Sequence, residues 1–297
     1  MLEKVDHPTV CGAPTLAPNG ARKAIVRSRL ALVKLLAAIA CSGCSLALDF
    51  DSTSKQPVKP QPTFCGEHST PPAIFCDDFD AEPLGTKWSK VERVNGEATN
   101  DTEAATSPPD SLLSVADPVG VTGKVRAVST VGFLDLSSTK VGLRISFNMR
   151  VDQFDSAIGA KTNVFDFLYG SVTDFNQVLV VLISTGSEVS VMLAENPQKP
   201  PEPNNLYQEY GPFPIRPVQG QWMKVALDID ILNPTGAGNS VRFALDDQMQ
   251  LDTALLYPFK GQTPRLELGV GWVDSEMMPS QTWAIRYDDF LVEAVAR

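Results

Sequence analysis

The chain has 297 residues, 43% hydrophobic and 20% charged, which is enough apolar material to bury a core and excludes disorder along its whole length. Its 35 acidic side chains outnumber 25 basic ones, giving a formal charge of -10, so a polyphosphate backbone is the wrong partner and no nucleic acid is expected. Only two histidines are present, His7 and His68, leaving little imidazole for general-base chemistry or a metal cluster.

Residues 1–40 read as a leader. Arg22, Lys23, Arg27 and Arg29 precede the apolar stretch Leu30–Ala40, which only Lys34 interrupts. A basic segment followed by a short apolar one is a signal for export, and the stretch is too short to span a bilayer, which takes about 20 apolar residues. The segment before it is long, mixes charge signs and holds Pro8, Pro14 and Pro18, so Val26 is a candidate for the true start. Ala37-Ala38-Ile39-Ala40-Cys41 resembles the lipobox of bacterial lipoproteins, in which the Cys is acylated and becomes the mature N-terminus. Cys41 is the expected lipidation site, with Cys44, preceded by Gly43, as the alternative. The resemblance implies a chain exported and lipid-anchored to the cell envelope. Ser42 after the anchor favours the outer membrane over the inner in a two-membrane bacterium. Without residues 1–40 the charge is -14, so attachment must come from lipid and not from a basic patch.

Residues 41–72 form a tether, rich in Pro, Ser, Thr and Lys from Asp51 onward and lacking any apolar period. His68 falls in it and is expected to be an exposed linker residue. Cys65 and Cys76 flank its end, and in an oxidising compartment they are expected to form a disulfide fastening the tether to the first strand.

From residue 73 to 297 the pattern becomes that of a single domain. In Leu143–Val151 every odd position is apolar and every even one polar, the period of a strand buried on one face. Residues 223–231, 188–194, 240–245, 265–272 and 283–292 behave similarly, while 178–184 reads as a strand buried on both faces. Turn residues separate them at 184–187, 233–239 and Asp246-Asp247, and no helical period follows residue 50. The expected fold is all-β, a two-sheet antiparallel sandwich of twelve to fourteen strands. The long Pro-rich insertion 196–217 carries Tyr207, Tyr210 and Phe213.

Phe75-Cys76-Asp77-Asp78-Phe79-Asp80 followed by Trp88, Gly220-Gln221-Trp222 before a long strand, and Tyr287-Asp288-Asp289-Phe290 near the C-terminus complete a pattern. Over about residues 73–295 the chain resembles exported bacterial proteins with a concanavalin-A-like lectin/glucanase jelly roll. In that fold the first and last strands lie side by side, which would bring Asp77, Asp78 and Asp80 towards Asp288 and Asp289. The favoured reading is a solvent-facing acidic edge with no cofactor required, and the alternative is a structural calcium ion, which such oxygen ligands suit. Some relatives of this kind are glycoside hydrolases with three carboxylates alternating on one strand. The nearest match is Asp228-Ile229-Asp230-Ile231-Leu232, where Leu232 replaces the last acid, so no catalytic residue is assigned. Glu188 and Glu195 fall on opposite faces of a regular strand, and no G-x-S-x-G elbow is present to build a triad on His68.

Trp88, Trp222, Trp272 and Trp283, with Tyr207, Tyr210 and Tyr257, supply flat rings of the kind that stack on sugars or fill sandwich cores. Tyr207, Tyr210, Trp222 and Trp272 are the candidate ligand-binding residues. The expected function is a non-catalytic binding or adhesion module at the cell envelope, with glycan as ligand. A degenerate glycoside hydrolase or polysaccharide lyase, and a purely structural envelope component, are the alternatives.

Overall fold

The structure, a computed structural model, describes residues 63–80, 84, 86–118, 124–130, 141–170, 175–198, 207–232, 238–257, 264–273 and 281–296. At 124–130, 141, 169–170, 175, 198, 264, 272–273 and 296 only the backbone is described. The leader, Cys41, Cys44 and the tether up to residue 62 lie outside these residues. The chain divides into two units, Met1–Val58 and Lys59–Arg297, and the described residues all belong to the second.

A four-residue helix, α1 (Phe64–Glu67), precedes fifteen described strands. They are β1 (Ala73–Asp77), β2 (Lys90–Val94), β3 (Gly96–Asp101), β4 (Ser111–Ala116), β5 (Lys124–Thr130), β6 (Val141–Gln153), β7 (Lys161–Gly170) and β8 (Phe175–Ser184). The later seven are β9 (Val189–Gln198), β10 (Gln208–Tyr210), β11 (Trp222–Ile231), β12 (Ser240–Leu245), β13 (Gln248–Ala254), β14 (Pro264–Val273) and β15 (Trp283–Ala296). One sheet, A, runs β13-β12-β11-β6-β15-β4-β3, with β1 also paired to β15; the other, B, runs β10-β9-β8-β7-β14-β5-β2. Every pairing is antiparallel. This is the two-sheet sandwich expected from the alternation. The first and last strands do lie side by side, through β1 and β15.

Alternation decides which side chains meet between the sheets. Leu143, Ile145, Phe147, Met149 and Val151 of β6 are at most 2% exposed, beside Met223, Val225, Leu227, Ile229 and Ile231 of β11. Phe147 lies against Phe165 from sheet B and against Tyr287 and Phe290 of β15, with ring centroids 5.4 to 6.1 Å apart. Burying each such side chain contributes about 1.5 to 3 kcal/mol, so this stripe is what holds the layers together. Strand β8 is buried on both faces as its sequence demands. Val178, Val180 and Leu182 enter the main core, while Leu179 and Val181 pack with Met192 and Ala194 on the other side.

The strands that alternation did not reveal, such as β2 and β3, are short and largely exposed, so they carry little apolar periodicity. The hairpin between β12 and β13 turns on Asp246 and Asp247, both at positive φ (47° and 60°), as a two-residue loop matching strand twist requires. Helix α1 falls in the segment read as tether. Thr63 caps it, its side chain accepting from the Gly66 amide, and Cys65 is joined to Cys76 of β1 by the expected disulfide. No helix among the described residues is long and apolar enough to cross a membrane.

Candidate functional site

The even-numbered residues of β6 and β11 point away from the core, and together with β12, β13 and β15 they line a groove of about 560 Å³ on the outer face of sheet A. Strand register arranges its walls and floor in three rows running across the strands. The floor is Met249, Ala244, Ala226, Ser146 and Leu291, consecutive register partners from β13 to β15. Three small side chains side by side in mid-sheet leave a trench where larger ones would have filled the surface. On one side lie Lys224 and Asn148, register partners, with Asp289 beyond. On the other lie Arg242, Asp228, Arg144 and Glu293, again partner to partner. Neighbouring strands are about 4.8 Å apart, so the floor from β13 to β15 extends about 19 Å.

The three cations of the lining, Arg144, Lys224 and Arg242, are held among four carboxylates, those of Asp228, Asp247, Asp289 and Glu293. Arg144 Nε stands 3.0 Å from Asp228 Oδ1, and Arg242 reaches both Asp228 (3.5 Å) and Asp230 (3.7 Å). Lys224 Nζ lies 2.8 Å from Asp247 at the hairpin tip. Asp228 and Asp230 are therefore the counter-ions of two arginines, on the solvent-facing side of their strand where the alternation placed them. At least one partner in each pair is exposed enough for water to compete, so these ion pairs orient side chains more than they stabilise the fold.

His68 departs from expectation. It is half-buried, packs on Phe64 with ring centroids 4.4 Å apart, and both rings line the groove. Its Nδ1 lies 2.9 Å from the Phe64 carbonyl oxygen, which can only accept, so Nδ1 is the donor of that bond. The reason for its position is covalent: the disulfide draws α1 against the sheet beside Leu291, the register partner of Cys76.

The candidate aromatics are not brought to one place. Trp222 is half-buried on the groove face, opposite Arg150 and one row beyond Lys224. Tyr207 precedes and Tyr210 belongs to β10, an edge strand of sheet B, where Tyr210 packs against the core. The side chain of Trp272 lies outside the described residues. Trp88 and Trp283 are buried in the core. Glu188 is exposed and pairs with Arg216, whereas Glu195 is buried, its carboxylate accepting from the Leu256 and Tyr257 amides and from Asn176. Burial raises the Glu195 carboxyl, and these donors only partly offset it.

The candidate calcium ligands divide. Asp77 accepts from Trp88 Nε1 (2.6 Å) and the Phe79 amide, and Lys87 bridges Asp77 and Asp78 at 3.2 and 3.5 Å. Burial lifts the Asp78 carboxyl, but the Cys65 amide and Lys87 outweigh it, and the net shift is downward. Asp288 is fully buried and saturated by Thr106 and Ser107, whose backbone amides both donate to it. Asp80 and Asp289 belong to another group. Asp80 Oδ1 accepts from the Asp110 amide, while Asp80 Oδ2, Asp110 Oδ1 and Asp289 Oδ1 are buried without a hydrogen-bond partner. Burial, then the like charges of Asp78, Asp110 and Asp289, push the Asp80 carboxyl up. Among the described residues no group of three or more His, Cys, Asp or Glu side chains is already arranged to hold a metal ion.

What sequence reasoning missed is the floor and walls of the groove. A signal was present: the solvent-facing positions Arg144-Ser146-Asn148, Lys224-Ala226-Asp228 and Arg242-Ala244 repeat charged-small in three strands. Only the register shows that the small residues line up.

No family model and no curated protein matches the chain. Solved structures do share its fold. An endo-beta-1,4-glucuronan lyase from the fungus Trichoderma reesei aligns with a TM-score of 0.55 at 12% identity, over 74% of this chain and 95% of that one. Alginate lyase Aly36B, in a complex with alginate trisaccharide, aligns at 0.51 and 13% identity over 75% and 99%. Alginate lyase vAL-1 from Chlorella virus aligns at 0.50 and 13% over 75% and 100%. At such identities the likeness is one of fold, the concanavalin-A-like jelly roll.

Proposed function

We propose that this chain is an exported, lipid-anchored cell-envelope protein whose sheet A groove binds a linear, carboxylate-bearing glycan without cleaving it. The observation that carries the reading is the row Ala244-Ala226-Ser146, which opens a trench across three strands between charged walls. A trench about 19 Å long and lined on both sides by hydrogen-bonding groups suits an extended polar chain better than a compact ligand. Arg144, Lys224 and Arg242 are the cations of this face, each paired with an aspartate, and a ligand carboxylate would bind there by exchanging for those partners. Glucuronan and alginate, named for proteins of the same fold, are polymers of uronic acids. Such likeness of fold supports the ligand class by analogy only. Export and anchoring rest on the leader and the Cys41 motif.

A second reading, a lyase, is favoured by His68, whose ring lines the groove and is oriented there by the bond from its Nδ1 to the Phe64 carbonyl. β-Elimination from a uronate needs a base at the carbon beside the carboxylate and a cation to neutralise that carboxylate.

The test is Ala226→Trp. An outward-facing substitution on a half-exposed position should change stability by no more than about 0.5 kcal/mol, while filling the trench. Wild type should be retarded in gels containing alginate or glucuronan, and A226W should not. Equal retardation of both would end the groove reading. Ultraviolet-absorbing unsaturated product formed by wild type but not by H68A would replace binding with lysis.

A further inference from the structure

We propose that the groove receives the end of a glycan chain and not its interior, because the Cys65–Cys76 disulfide stands as a stop at one end of the trench. The inference rests on the glycan-binding reading and adds the manner of entry.

The floor row does not finish at Leu291. Its register partner on the next strand is Cys76, on the same outward face, since antiparallel partners share a side. Cys76 is bonded to Cys65, and α1 is thereby planted on the axis of the trench. Phe64, the neighbour of Cys65, stacks with His68, and both face the groove. The stop is held from three directions. Cys65 N donates to Asp78 Oδ2 at 3.1 Å, Thr63 caps the helix, and Ala294 N donates to the Pro72 carbonyl at 2.9 Å.

The opposite end is different. Among the described residues β13 is the edge of sheet A, and Met249, the last member of the floor row, is 57% exposed. One end is therefore open and the other blocked by a covalent cross-link. A polymer lying through such a trench would have to pass through α1, whereas a chain terminus can enter at Met249 and advance until it meets Phe64 and His68.

Binding should then count chain ends and not chain length. The experiment measures the amount of protein bound at saturation by equal masses of alginate, once as long polymer and once cut by acid to chains about one tenth as long. Wild type should bind about tenfold more on the fragmented sample. The variants F64A/H68A and C65A/C76A, each checked for the sandwich by circular dichroism, should reduce that ratio towards one as the stop is removed. A wild-type ratio near one, with binding intact, overturns end recognition while leaving glycan binding in place. A wild type that binds neither form of alginate nor glucuronan overturns the glycan reading itself.

Discussion

Asp288 makes stability depend on pH in an uncommon direction. It is 0% exposed, and its carboxyl is raised from 3.8 to about 6, by burial first and by the charge of Asp289, against the lowering pull of the Ser107 and Asp289 amides and Thr106. A group whose value is higher folded than unfolded stabilises the fold most when protonated in both states. That contribution is complete below pH 3.8 and is lost as pH rises through about 6. The gap corresponds to about 3 kcal/mol, since each pH unit of difference is worth about 1.4 kcal/mol. Glu195 and Asp80, also raised, act in the same sense, whereas Asp78 and Asp101, lowered, contribute stability that disappears only below about pH 4. Urea unfolding in chelator from pH 4 to pH 7 should therefore show Asp288 alone removing about 2.4 kcal/mol, because part of the loss has already occurred by pH 4. The variant D288N should lose about 2.4 kcal/mol less over the same range, whatever its absolute stability. Parallel curves for the two proteins would refute the assignment.

Two further outcomes are expected. Phe147→Ala removes a ring that touches Phe165, Tyr287 and Phe290, and denaturant unfolding should register a loss of about 3 to 5 kcal/mol. Replacing Cys65 and Cys76 by Ser releases a loop of sequence separation 11 and should cost about 3 kcal/mol in the chain-entropy model, with the circular dichroism of the sandwich retained.

The sandwich was legible in the sequence because its cause is local. Odd and even positions of 143–151 and 223–231 differ in polarity, and a strand has only two faces on which to sort them. The same holds for the doubly buried 178–184 and for the Asp246-Asp247 turn. The disulfide followed from two cysteines of short spacing. The groove was not legible. Ala226 and Ala244 are unremarkable alone and acquire meaning only as neighbours of Ser146, and that adjacency is fixed by which strands pair and in what register. His68 reads as a linker residue because nothing in its own segment shows that Cys76 will carry it to the edge of a sheet. Local alternation thus determined the layers, while alignment across strands far apart in the chain decided where a ligand could lie.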